Sequence, residues 1–138
     1  MENDRPLTLN IRGISMVPLL LEGDRVTFVT SPTLSKGDVV LLRDKGHKEF
    51  IVHRYLGDGL FKGDNNPYFD SHELVVLGVL TSLNGRPFHV LKLANMIKAK
   101  LSGNYLHHRP KLLRVIWKLP LWILNWLTRR YCILAHQK

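Results

Sequence analysis

The hydrophobic period of this chain changes once, at Asn84-Gly85-Arg86-Pro87, and that switch limits the fold more than any other feature. Before it, apolar residues come in short runs or alternate. Arg25–Thr30 alternates polar and apolar side chains, as a half-buried strand does, and Val39-Val40-Leu41-Leu42 is a brief apolar run bounded by turn residues. Glu49–Tyr55 and Leu74–Leu80 are further strand candidates, with Ile51, His53 and Tyr55 on one face of the former. Gly-Asp pairs at 23–24, 37–38 and 63–64 punctuate the series as turns. With no strand followed by a helix of ten or more residues, the expectation is a mainly β body of antiparallel or mixed strands over residues 7–85.

After the switch the period is helical. Val90, Leu93, Ala94, Ile97 and Leu101 form one stripe, with Lys92, Asn95 and Lys98 off it and Gly103-Asn104 as its stop. A second helix is expected after Pro110. Its polar residues Lys111, Arg114, Lys118, Asn125 and Arg129 recur at helical spacing between large apolar ones, and Pro120 is expected to kink or split it. Residues 88–138 are therefore expected to form an amphipathic helical extension.

Charge divides the chain at nearly the same place. Residues 1–73 carry 9 Lys/Arg against 11 Asp/Glu, whereas residues 74–138 carry 11 Lys/Arg and no acid. The single cysteine, Cys132, excludes an internal disulfide framework and a cysteine-rich zinc module. His72-Glu73 lacks a second histidine one turn on, and adjacent His107-His108 point apart on a helix, so no metal or other cofactor is expected. The start, Met1-Glu2-Asn3-Asp4-Arg5-Pro6, has neither the charge nor the apolar run of a signal peptide. The longest uncharged apolar stretch near the C-terminus, Leu119–Thr128, has ten residues, where a spanning helix needs about 20. A cytoplasmic or peripheral membrane location is expected.

Three segments carry chemistry: Gly13-Ile14-Ser15-Met16-Val17-Pro18; Gly37-Asp38-Val39-Val40 leading to His53-Arg54; and Lys62-Gly63-Asp64-Asn65-Asn66 leading to Asp70. Taken singly, each is ordinary turn or strand material. Together they supply the parts of a nucleophilic mechanism. A serine hydroxyl needs a base within hydrogen-bond reach. Neutral imidazole can take that proton and return it to a leaving amine, which predicts cleavage that fades in acid. A carboxylate on the other ring nitrogen holds the tautomer and stabilises the imidazolium. Backbone N–H groups around Gly13-Ile14-Ser15, that of Ser15 above all, are candidate donors to an oxyanion.

The order and spacing of the three segments resemble the signal peptidase I family of membrane-associated serine endopeptidases, over roughly residues 11–80. Ser15-Met16-x-Pro18 is similar to the family's nucleophile box, and Gly63-Asp64-Asn65-Asn66 to its acidic box. His53-Arg54 stands where bacterial members carry a Lys-Arg pair, as in the endoplasmic-reticulum and archaeal branch. The resemblance implies Ser15 as nucleophile, His53 as base, Asp70 as the orienting acid and Asp64 as a supporting one. It further implies a precursor protein or peptide as substrate, with small side chains before the cut and a leader or signal segment released. Two departures stand out. Gly13 occupies a position where many members place a serine donor, and the few residues before Gly13 in this sequence lead to the expectation that the family's N-terminal membrane helix is replaced.

A C-terminal surface is the expected substitute for that anchor. Trp117, Trp122 and Trp126 lie among Arg114, Lys118, Arg129 and Arg130, the mixture of aromatics and cations that suits an anionic bilayer surface or a docking partner. Nucleic acid is disfavoured, because the basic segment is rich in large apolar residues and its aromatics sit on a helix. The alternatives to a signal-peptidase-like enzyme are a catalytically weak or inactive relative that binds leader peptides, and a self-cleaving-repressor-like protease. The second would carry a lysine base and an N-terminal DNA-binding bundle.

Overall fold

Among the described residues of the computed structural model, seven strands make one antiparallel sheet, followed by two helices. The structure describes residues 5–31, 33–70, 73–89, 92–106 and 108–134, the side chains of 132–134 aside; Val90, His72 and His107 of the sequence reading fall outside them. The strands are β1 (Leu7–Asn10), β2 (Arg25–Val29), β3 (Val39–Asp44), β4 (Phe50–Gly57), β5 (Leu60–Lys62), β6 (Leu74–Leu83) and β7 (Arg86–Pro87). Their order is β1-β2-β6-β3-β4-β5, with β7 folded back on β6. The mainly β reading of the sequence is what the chain adopts.

The sheet follows from the residues that build it. Val39–Leu42 is buried at every position, so its alternate side chains feed two cores. Val39 and Leu41 join Ile11, Met16, Leu19, Leu20, Val26, Phe28, Leu80 and Leu83. Val40 and Leu42 join Phe61 on the opposite face. Asn84-Gly85 takes positive φ at both residues (53° and 77°), the twist that a two-residue hairpin needs, and reverses β6 into β7. Register shifts opposite Thr27/Phe28 and Leu41/Leu42 each leave an extra residue on β6, Thr81 and Leu77, and bend that strand. The sheet curls enough for residues 9–13, next to β1, and residues 48–52, at the start of β4, to line one cleft.

Helix α1 (Lys92–Asn104) packs against β4 and against α2 (Lys111–Leu134). The α1 backbone comes close to the chain at Gly37, where a Cβ would meet the Asn95 carbonyl oxygen at 2.1 Å. The expected apolar stripe of α1 is only partly its buried face. Leu101 and Ala99 are buried, but so are Lys98 and Ser102, while Leu93 and Ile97 are exposed. Lys98 is held inward by a hydrogen bond to Thr128 of α2. Helix α2 runs through Pro120 as one assigned helix rather than two.

The polarity of α2 is the larger surprise. The face turned to the body is the polar one: Lys118, Asn125, Thr128 and Arg129 point inward around Leu121, and the apolar residues point out. Asp24 accounts for one end of this arrangement. Its carboxylate accepts from the Leu21 amide (2.7 Å), Asn84 Nδ2 (2.9 Å) and both terminal nitrogens of Arg129. Burial alone would raise the Asp24 pKa, but the hydrogen bonds from Arg129, Leu21 and Asn84 hold it below its usual value.

Candidate active site

Strand β4 carries His53 and Arg54 on opposite faces, so two consecutive residues serve two different clusters. Nδ1 of His53, a buried ring, lies 2.6 Å from Oδ2 of Asp70. Asp70 is held there by its own amide, which donates to the Phe61 carbonyl of β5 (2.9 Å). An acid after the Gly-Asp-Asn-Asn turn thus comes back to the strand pair β4–β5 and fixes the imidazole from behind.

The other ring nitrogen looks toward Ser15. A Cβ placed on Gly63 would stand 2.9 Å from His53 Nε2, 2.9 Å from Ser15 Cβ and 2.9 Å from Asn66 Nδ2. Ser15 Cβ and His53 Nε2 are therefore no more than 5.8 Å apart, twice that distance. Gly63 is the residue that lets serine and histidine face each other, because any side chain would occupy the space they share.

The serine segment is tied to the same turn. The Asn65 amide donates to the Ser15 carbonyl (2.7 Å), Asn65 Nδ2 donates to the Ile14 carbonyl (3.2 Å), and the Asp64 amide lies 3.5 Å from Met16 Sδ. Gly13 turns the chain into Ser15 with φ of 83°, and Ile14 is exposed beside it. No atom lies within 4 Å of a Cβ at Gly13, so space does not exclude a serine donor there; the left-handed backbone does. Ser15 itself is half-buried, at one end of a cleft of about 550 Å³ between residues 9–13 and 48–52, with Met16 and Val52 in its lining.

Asp64 does not touch the imidazole. Its fully buried carboxylate accepts from Arg54 Nε (2.8 Å) and Nη2 (2.5 Å) and from Asn125 Nδ2 (2.7 Å), while Arg54 Nη2 also reaches Asn125 Oδ1 (3.0 Å) and Nη1 the Gly37 carbonyl (2.7 Å). Burial would raise its pKa; the Arg54 charge and the hydrogen bonds from Arg54 and Asn125 outweigh that and hold it low. The supporting acid expected from the sequence is thus a structural ion pair one strand face away from the imidazole, closed by a residue of α2. Asn125 was visible in the sequence only as one member of the polar stripe on the second helix, with no role of its own.

Lys62 is a second residue the sequence reading passed over. Buried, it donates to the carbonyls of Gly63 (3.0 Å) and Asn66 (2.5 Å) and lies 5.1 Å from the centre of the Tyr105 ring. Burial lowers its pKa to about 8, against the pull of Asp64 and Asp70. It staples the turn that positions Asn65 and Asn66.

Comparison with family models, curated proteins and solved structures finds no match to this chain. What the site can do follows from its geometry. Ser15, His53 and Asp70 meet although 38 and 17 residues separate them in sequence; among the described residues no three or more His, Cys, Asp or Glu side chains cluster so as to hold a metal ion.

The expected membrane or partner surface is rearranged. Of its residues, Trp122, Trp126 and Arg130 are exposed. Trp117 and Arg114 are half-buried; Lys118 turns in over the Tyr105 ring (4.9 Å), and Arg129 is bound to Asp24. The cations were expected outside and several are inside, because the body presents Asp24 and an aromatic ring to them. No helix among the described residues is long and apolar enough to cross a membrane.

Proposed function

We propose that this protein is a serine endopeptidase acting on an extended segment of a precursor peptide or protein, as its resemblance to signal peptidase I implies. The observation that carries this reading is the shared space at Gly63, with Ser15 on one side, His53 Nε2 on the other and Asp70 on His53 Nδ1. Ser15 Oγ attacks the scissile carbonyl carbon as its proton passes to His53 Nε2. The proton then goes to the leaving amine, the C–N bond breaks, and an ester on Ser15 is left for water to hydrolyse. Asp70 keeps the Nδ1 proton in place and stabilises the imidazolium. The backbone amide of Ser15 is the proposed oxyanion donor. With Gly13 in place of a hydroxyl donor, a slow enzyme is expected, since one such donor is worth about 10²–10³ in rate.

The cleft supports an extended substrate. Its two walls are chain segments at β1 and β4, offering backbone groups to a peptide laid between them; its lining mixes apolar side chains such as Met16 and Val52 with polar ones such as Asn10, Arg12, Lys48 and Glu49, and the preference for small side chains before the cut rests on the resemblance alone. The test is cleavage of a degenerate peptide library, read by mass spectrometry, together with labelling by a fluorophosphonate. Wild type should cut and be labelled on Ser15; Ser15→Ala and His53→Ala should do neither while remaining folded. Wild-type turnover by either variant overturns the reading.

A further inference from the structure

We infer that the outer face of α2 is a docking surface for an anionic lipid bilayer. The helix presents its apolar side to solvent: Leu119, Trp122, Trp126 and Tyr131 are 56%, 44%, 43% and 65% exposed, while Leu121 and Asn125 on the inner side are 1% and 0% exposed. A helix whose polar side is used against its own domain has only a nonpolar surface left to offer. The hold is firm, through Arg129 on Asp24 and Asn125 on the Arg54–Asp64 pair, so the apolar face cannot simply roll inward. Contiguous exposed apolar surface of this kind marks a binding face.

Three observations select lipid as the occupant. Indole and phenol rings stand along the outward face, the side chains that settle at the boundary of headgroup and acyl chain. Exposed Lys111 and Arg130 flank that face at its two ends, Arg130 lying 5.4 Å from the Trp126 ring centre, and Lys92 and Lys100 of α1 are exposed as well. No acid occurs anywhere in residues 74–138. Two copies of the face would therefore bring cations onto cations with no carboxylate to pair them, whereas anionic headgroups neutralise them. The helix cannot span, so it lies in the interface plane.

The test is flotation of the full chain with vesicles of phosphatidylcholine alone or mixed with phosphatidylglycerol. Wild type should float with the mixed vesicles, with at least about tenfold weaker binding at high salt, where a Debye length of ~3 Å screens the charges. It should float far less with phosphatidylcholine alone. Leu119→Gln/Trp122→Gln/Trp126→Gln should lose binding by about a hundredfold or more, because three buried apolar groups are removed, while keeping its circular dichroism. Lys111→Gln/Arg130→Gln should weaken binding to the mixed vesicles only. The inference fails if the triple variant floats as wild type does. It also fails if wild type stays in solution, including the case where it sediments as a dimer that the triple variant dissolves, which would make the face a contact between copies. Ser15→Ala should float as wild type, so the peptidase reading and the membrane surface stand or fall separately.

Discussion

Asn125 of α2 donates to the carboxylate of Asp64, 61 residues earlier, across 2.7 Å in a site closed to solvent. Removing one partner of a buried ion pair leaves the other charge uncompensated, which costs about 3–5 kcal/mol. Asp64→Asn should therefore destabilise by that amount in urea titrations, and Asn125→Ala by about 1–3 kcal/mol as its buried partners lose a hydrogen bond. Equal stability of Asp64→Asn and wild type would contradict the burial described here.

Asp70 and Asp64 should separate cleanly. Asp70→Asn keeps the volume but removes the charge beside His53 Nδ1, so the cleavage rate should fall by about 10³–10⁴ with little change in melting temperature. The two aspartates then give opposite patterns: rate without stability for Asp70, stability first for Asp64. A stable, fully active Asp70→Asn enzyme would reassign the orienting acid.

Gly63→Ala tests the meeting point itself. The new methyl would sit 2.9 Å from Ser15 Cβ and His53 Nε2 and must push them apart. Because a displacement of 1 Å can cost about a hundredfold in rate, peptide cleavage should drop by at least that factor. Fluorophosphonate labelling should slow in parallel. Unchanged kinetics would place the reacting groups elsewhere.

Lys62 makes stability rise with pH in the alkaline range. Its pKa is lowered from 10.5 to about 8 by burial, so between these values the unfolded chain binds more protons than the folded one, and unfolding becomes costlier as pH rises. The contribution is complete above 10.5 and lost as pH falls through about 8, with an upper size of about 3 kcal/mol. Measured as the difference between wild type and Lys62→Met, the wild-type advantage should grow from pH 7 to pH 10.5. A constant difference would mean that Lys62 keeps an ordinary pKa.

Much of the fold was legible because strand signals are local. The runs at 25–30, 39–42, 49–55 and 74–80 became β2, β3, β4 and β6, since alternation and turn residues act within a few positions. Strand β5 was not legible: three residues are too few to show a period, and it exists because Arg54 and Tyr55 pair with it. Ser15, His53 and Asp70 were named through the resemblance to signal peptidase I, but which aspartate faces the imidazole is a matter of strand face and loop path. The orientation of α2 was the least legible feature. Amphipathicity gives the two sides of a helix but not which one the body wants, and here buried Asp24 and Asp64, with half-buried Tyr105, had already claimed the polar side.

The clasp between Asp24 and Arg129 spans 105 residues, and the one between Asp64 and Asn125 spans 61. Contacts this distant in sequence slow folding, because long loops must close before any of their bonds can form. On a ribosome, the β-sheet emerges with two carboxylates awaiting partners that have yet to be translated. Nascent chains lacking those partners should bind chaperones and be degraded readily, and resistance to a protease should appear late and all at once, when residue 129 clears the exit tunnel.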